Sequence, residues 1–164
     1  MTLGHVTHAA QAGVHVLRYF GAVNYTLAPG LQRFLDHLIH EGPLSGLVFD
    51  LTAAESLDST NFGLMARVNE EMHELGVANS VIISSNEDID VVLRSMGFDQ
   101  TFDLYAAAGV PDAAAENVAA EPASATELRH TMLDAHRALC RLSEAGRLEF
   151  EPVVACLERD FCAH

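Results

Sequence analysis

Asp58-Ser59-Thr60 is the stretch of this 164-residue chain in which residue type and position together suggest chemistry. A short apolar run, Leu47-Val-Phe-Asp50-Leu51, precedes it, and Leu64, Met65, Val68, Met72 and Leu75 recur on one helical face after it. The pattern predicts a buried strand, a loop, and a helix over about 60–75 that Ser59 opens. Ser59 then lies at or beside the N-cap, where backbone N–H groups are unpaired and the helix dipole favours negative charge. A phosphoryl group there adds about −1.5 to −2 charges at one exposed spot, and its own fold tolerates it. The same three residues also make an ordinary helix cap, so the local pattern alone leaves both readings open.

Other chemistries find less support. All nine basic residues are Arg, with no Lys. That removes a P-loop Lys, a Schiff-base Lys and a Ser-Lys hydrolase. A hydrolytic Ser59 needs a base, and no His follows it in a recognisable arrangement. There is no nucleophile elbow, HExxH or glycine-rich phosphate loop. His37 and His40 share a predicted helix and His73 lies on another, without a convergent third ligand. Cys156, Cys162 and His164 contain no CxxC unit. The sequence therefore predicts no catalytic residue, no metal and no cofactor, and a protein that is not an enzyme.

The net charge is −14. Residues 1–106 carry 13 acids against 4 Arg, and the remainder 10 acids against 5 Arg. Neither part offers a basic footprint for nucleic acid, and an anionic membrane surface would repel both. A basic protein partner fits this field. Three Cys in the last quarter are not a disulfide framework. No secretory signal and no apolar run of about 20 residues is apparent, so a cytoplasmic location with reduced thiols is expected.

Elements that could position Ser59 follow from periodicity. Two strands, 5–12 and 14–23, flank a turn at Ala12-Gly13. A helix over 28–40 stops at Glu41-Gly42-Pro43. A strand over 44–51 leads by a loop to the Ser59 helix, which Gly76 ends. A strand over 77–84, a helix over 87–96 capped by Asn86, and a strand over 101–105 complete a β-β-α-β-α-β-α-β order. That alternation predicts an α/β fold, a mixed sheet with helices packed against it. The stretch 106–123 is Ala-rich with Pro111 and Pro122, and is expected to be a linker. Over 124–164 two amphipathic helices form a hairpin. The first is opened by the capping-box pattern Ser124-Ala-Thr-Glu127 and carries Leu128, Met132, Ala135, Leu139 and Leu142. A break at Ala145-Gly146 precedes the second. The hairpin is expected to dock on its own domain or on a dimer mate, because isolated short helices are marginal.

The segments Phe20-Gly21-Ala-Val-Asn24, Val48-Phe-Asp50-Leu, Leu57-Asp58-Ser59-Thr60, Gly63-Leu64 and Ser95-Met96-Gly97-Phe98 resemble the STAS family, the sulfate-transporter and anti-sigma-antagonist domain. The resemblance covers about residues 5–105, with 1–105 as the domain. It implies an anti-sigma factor antagonist that sequesters an anti-sigma factor while Ser59 is unphosphorylated. A serine kinase and a phosphatase would set its state. It also implies a partner surface at Asn24, Asp58, Thr60, Asn61 and Phe62. Asn61 stands where members often have Gly, and Asn24 where they often have Asp. The tail, Met132-Leu-Asp-Ala-His136-Arg137-Ala-Leu139 with Phe150-Glu-Pro-Val-Val154, is similar to the extension of a proteobacterial subgroup linking sigma-factor control to flagella and biofilm. A homodimer is compatible with these features. The alternative within the same resemblance is an accessory subunit of a transport assembly, such as a lipid-transport ABC complex.

Overall fold

Ala12 (φ 53°) and Gly13 (φ 81°) both occupy the left-handed region, as a two-residue hairpin turn requires. Ser45 braces this strained corner, donating from N to the Gly13 carbonyl at 2.8 Å and from Oγ to the Ala12 carbonyl at 3.2 Å. The turn joins β1 (His5–Gln11) to antiparallel β2 (Val14–Val23). The chain continues through α1 (Ala28–Glu41), β3 (Gly46–Leu57), α2 (Ser59–Glu74), β4 (Val81–Ser84), α3 (Glu87–Ser95), β5 (Asp103–Ala106), β6 (Glu116–Asn117), α4 (Ala125–Leu142) and α5 (Glu144–Cys162). The computed structural model describes residues 3–107, 115–118 and 122–162.

The sheet order is β5-β4-β3-β2-β1-β6. β2, β3, β4 and β5 are mutually parallel neighbours, while β1 is antiparallel to β2 and to β6. The mixed sheet with flanking helices is the fold class the sequence predicts. Its centre is β3, where Leu47, Phe49 and Leu51 are buried.

Three differences among the strands have a physical reason. First, β3 continues to Leu57 through residues expected to be a loop. Thr-Ala-Ala-Glu-Ser lacks strand alternation because the pairing with β2 slips twice, between Arg18/Phe20 and between Gly21/Ala22. At each slip two β3 positions face one of β2, as in a bulge. At the first, the buried Asp50 carboxylate accepts from Thr52 N (2.9 Å) and Thr52 Oγ1 (2.6 Å), taking donors the irregular ladder leaves over. Second, β4 begins at Val81 rather than Val77. Val77 N and Gly76 N instead close the end of α2 on the Met72 and His73 carbonyls, with Gly76 at φ 77° as a C-terminal glycine. Third, the stretch expected to be a linker contains β6, paired through Thr7–Asn117 and His8–Glu116. Residues 108–114 and 119–121 of that stretch lie outside the described residues.

The C-terminal helices join the same apolar core. Ala135, Ala138, Leu139 and Phe150 are continuous with Leu17, Phe49, Leu64 and Met65. Ser124 Oγ caps α4 by accepting from Glu127 N at 3.0 Å. The Glu127 carboxylate does not reach back to complete the expected box but pairs with Arg33 of α1. The break between the helices falls at extended Ser143, not at Ala145-Gly146. Ser143 Oγ donates to the Met96 carbonyl (2.6 Å) and accepts from Gly146 N (2.9 Å), so one hydroxyl ties the hairpin turn to the domain and caps α5.

Candidate functional site

The two bulges of β3 carry the chain to the end of β2, where Asp58 N donates to the Val23 carbonyl at 3.3 Å. Asp58 is extended (φ −90°, ψ 172°) and caps α2, accepting from Asn61 N at 3.1 Å and from Asn61 Nδ2 at 2.9 Å. Ser59 is the first residue of α2 and is half-buried. Beside it, at the end of β2, exposed Asn24 uses its side chain locally, accepting from Thr26 N at 3.0 Å. Asn24, Asp58 and Ser59 thus share one end of the sheet, where β2 and β3 finish side by side.

Thr60, Asn61 and Phe62 do not share that surface. All three are buried, as is every position from 60 to 66, because this part of α2 lies between the sheet and α4 and has no face left to solvent. Phe62 meets Phe98 edge-on at 5.9 Å, and Phe98 stacks on Phe102 at 4.8 Å. As folded here these three are core residues, which corrects their assignment to a partner surface.

The site holds one residue to which sequence reasoning assigned no role. His136 of α4 places Nε2 2.8 Å from Ser59 Oγ, and its Nδ1 lies 2.6 Å from the Met132 carbonyl. A carbonyl only accepts, so Nδ1 carries the hydrogen. In the neutral ring Nε2 then accepts from the Ser59 hydroxyl. His136 is 3% exposed, and its ring is backed edge-on by Phe150 at 5.7 Å. Its only sequence signal was a polar residue beside Ala135 on the apolar stripe of a predicted helix, 77 residues from Ser59.

A serine beside an imidazole can lose a proton to it, which supplies the base that the sequence did not reveal. A nucleophile also needs room for a substrate and donors for its oxyanion. Ser59 and His136 line none of the clefts between α1 and α4, at β4–β5, or beside the β1–β2 edge. His37 pairs with Glu41 at 2.6 Å and His40 lies 3.8 Å from Glu71, both histidines exposed.

Residues 5–109 match the family model described as STAS domain. The chain belongs to the STAS domain family. Two solved structures share its fold. One is an anti-sigma factor antagonist from Mycobacterium paratuberculosis, 23% identical, with a TM-score of 0.55, covering 63% of this chain and 86% of that one. The other is the anti-sigma factor antagonist SpoIIAA in its unphosphorylated form, 13% identical, with a TM-score of 0.54, covering 65% and 90%. No curated protein sequence matches the chain. Among the described residues, no helix is long and apolar enough to cross a membrane.

Proposed function

We propose that this STAS protein is an anti-sigma factor antagonist, of the kind that carries C-terminal helices, and that phosphorylation of Ser59 switches its binding. It acts by binding rather than by catalysis. The observation that carries the reading is the place of Ser59: first residue of α2, directly after the Asp58 cap, at the C-terminal ends of β2 and β3 beside Asn24. The two antagonists whose fold it shares support it.

The switch rests on charge. A phosphate on Ser59 meets the electropositive start of α2 within its own chain. A partner packed on that end of the sheet meets instead a new charge of about −1.5 to −2, with its desolvation cost. The chain's own −14 charge favours a partner with a basic face. A serine kinase and a phosphatase of the host set the state.

Phosphopeptide mapping of the chain purified from host cells, together with binding to the host's anti-sigma factors, tests the reading. Phosphate on Ser59, and an anti-sigma complex weakened by about tenfold or more in Ser59→Asp, are expected. Phosphate confined to Ser56 or Thr60, or Ser59-dependent hydrolysis of an ester or nucleotide by the pure protein, would overturn it.

A further inference from the structure

The C-terminal helices do more than thicken the core, because α4 takes the hydroxyl of Ser59 for itself. Ser59 donates to His136 Nε2 at 2.8 Å, and the acceptor is a buried ring with Phe150 behind it. The side of Ser59 that bears its hydroxyl therefore faces protein. A hydrogen-bond distance between Oγ and Nε2 leaves no room for a phosphorus atom and its three oxygens.

The approach of α4 to α2 is specific. A Cβ on Gly63, one turn beyond Ser59, would stand 2.3 Å from the Ala135 carbonyl oxygen and 2.8 Å from Ala135 Cβ. Ala135 precedes His136, so the missing side chain at position 63 is what brings the imidazole within reach of Ser59. Further along, Arg141 binds Glu70 at 2.9 Å, and Ser143 Oγ binds the Met96 carbonyl at 2.6 Å. Arg141 and Glu70 are both exposed at the side chain, and exposed pairs contribute little. α4 also packs along α5, with Arg137 holding Glu158 at 3.0 Å, so the two helices would leave α2 together, exposing Leu139 and Phe150, as a sub-global opening.

We infer that His136 belongs to the Ser59 site as its intramolecular occupant, and that a serine kinase or a partner gains Ser59 only after α4 and α5 lift from α2. The inference rests on the proposed role of Ser59. In the transfer step, the bond from the γ-phosphorus of the kinase's nucleoside triphosphate to the β,γ-bridging oxygen breaks and the Oγ–P bond forms. The diphosphate leaves with the bridging oxygen, and the hydroxyl proton passes to a base. With α4 docked, that hydroxyl is committed to Nε2. With α4 lifted, it is free to face the donor.

The test uses full-length chains expressed in the native host: wild type, His136→Ala, Arg141→Glu and Gly63→Leu. Hydrogen exchange of the α4 amides is measured on each, beside the fraction of Ser59 phosphorylated. All three variants are expected to speed α4 exchange, Gly63→Leu most, and to raise Ser59 phosphorylation, about fivefold or more in Gly63→Leu and His136→Ala and less in Arg141→Glu. Arg141→Glu, a surface change, covers the case in which Gly63→Leu does not fold. Faster α4 exchange with unchanged phosphorylation of Ser59 overturns the inference and leaves the switch reading standing. So does unchanged α4 exchange in every folded variant, because α4 would then not lie on α2 in solution. Ser59 unphosphorylated in every chain, the released variants included, overturns the switch reading itself and the inference with it.

Discussion

Around β3 large side chains fill the space between sheet and helices, whereas where α4 crosses α2 at Gly63 it is the lack of a side chain that lets them meet. Tyr19, Phe49, Leu51 and Leu64 fill the space between sheet and helices and are fully buried. At the second contact, Gly63 faces Ala135 at a separation that admits no Cβ, and Thr131 and Ala138 are buried nearby on α4. A core of large residues tolerates rearrangement better than a backbone-to-backbone approach, where any added atom meets a carbonyl. The first arrangement makes a domain; the second sets the exact reach of one imidazole.

The comparison breaks most visibly at Phe49. Phe49→Ala should cost about 3–5 kcal/mol, read as a lower denaturation midpoint, with α4 amides losing protection together with β3. Leu139 is equally buried but sits on α4. Leu139→Ala should cost about 2–5 kcal/mol by the same reasoning, and hydrogen exchange should then quicken in α4 and α5 before β3. Simultaneous loss in all three would show that the helices and the sheet open only as one unit.

Gly63→Ala sharpens the contrast at a smaller scale. In an isolated α2 the change would favour helix by about 1 kcal/mol. Against α4 it should cost about 1–3 kcal/mol in overpacking, so destabilisation measured on the intact chain would report the docked state. Asp58→Ala acts on the sheet side of the site. Losing the cap should cost about 1 kcal/mol and leave Asn61 N and Nδ2 without their acceptor, measured by thermal unfolding.

The smallest effect is a pH dependence far from Ser59. His15 Nε2 donates to the Pro43 carbonyl, so its Nδ1 accepts from His8 Nε2 at 2.9 Å. Burial, then the neighbouring His15, holds the His8 imidazole below its ordinary 6.5, while Glu116 pulls it up. The unfolded chain thus binds more protons between the lowered value and 6.5. Stability is full above that window and falls as the pH drops through it. Thermal midpoints should decline modestly from about pH 7.5 to about pH 5.5, and His8→Gln should flatten that slope.

Legibility followed range. The Ala12-Gly13 turn, the Asn86 and Ser124 caps and the Gly76 stop are set by neighbours a few residues away, and each is found where local chemistry predicts it. The course of β3 beyond Leu51 was not legible, because residues 52–57 gain strand geometry from β2 and from the Asp50 side chain rather than from their own pattern. β6 was hidden for a like reason, since Glu116-Asn117 has no strand character until β1 pairs with it. Thr60, Asn61 and Phe62 lie next to Ser59 in sequence yet point into the core, which a linear motif does not reveal.

By itself the sequence determined an acidic α/β chain in which a serine opens a helix after an apolar strand, because periodicity, capping and turn chemistry act over a few residues. Only the tertiary structure decided which group that serine meets. His136 arrives from the far end of the chain, and it does so because Gly63 lacks a side chain where Ala135 must pass. Such a contact depends on the crossing of two helices to within an ångström, and no spacing along the chain records it.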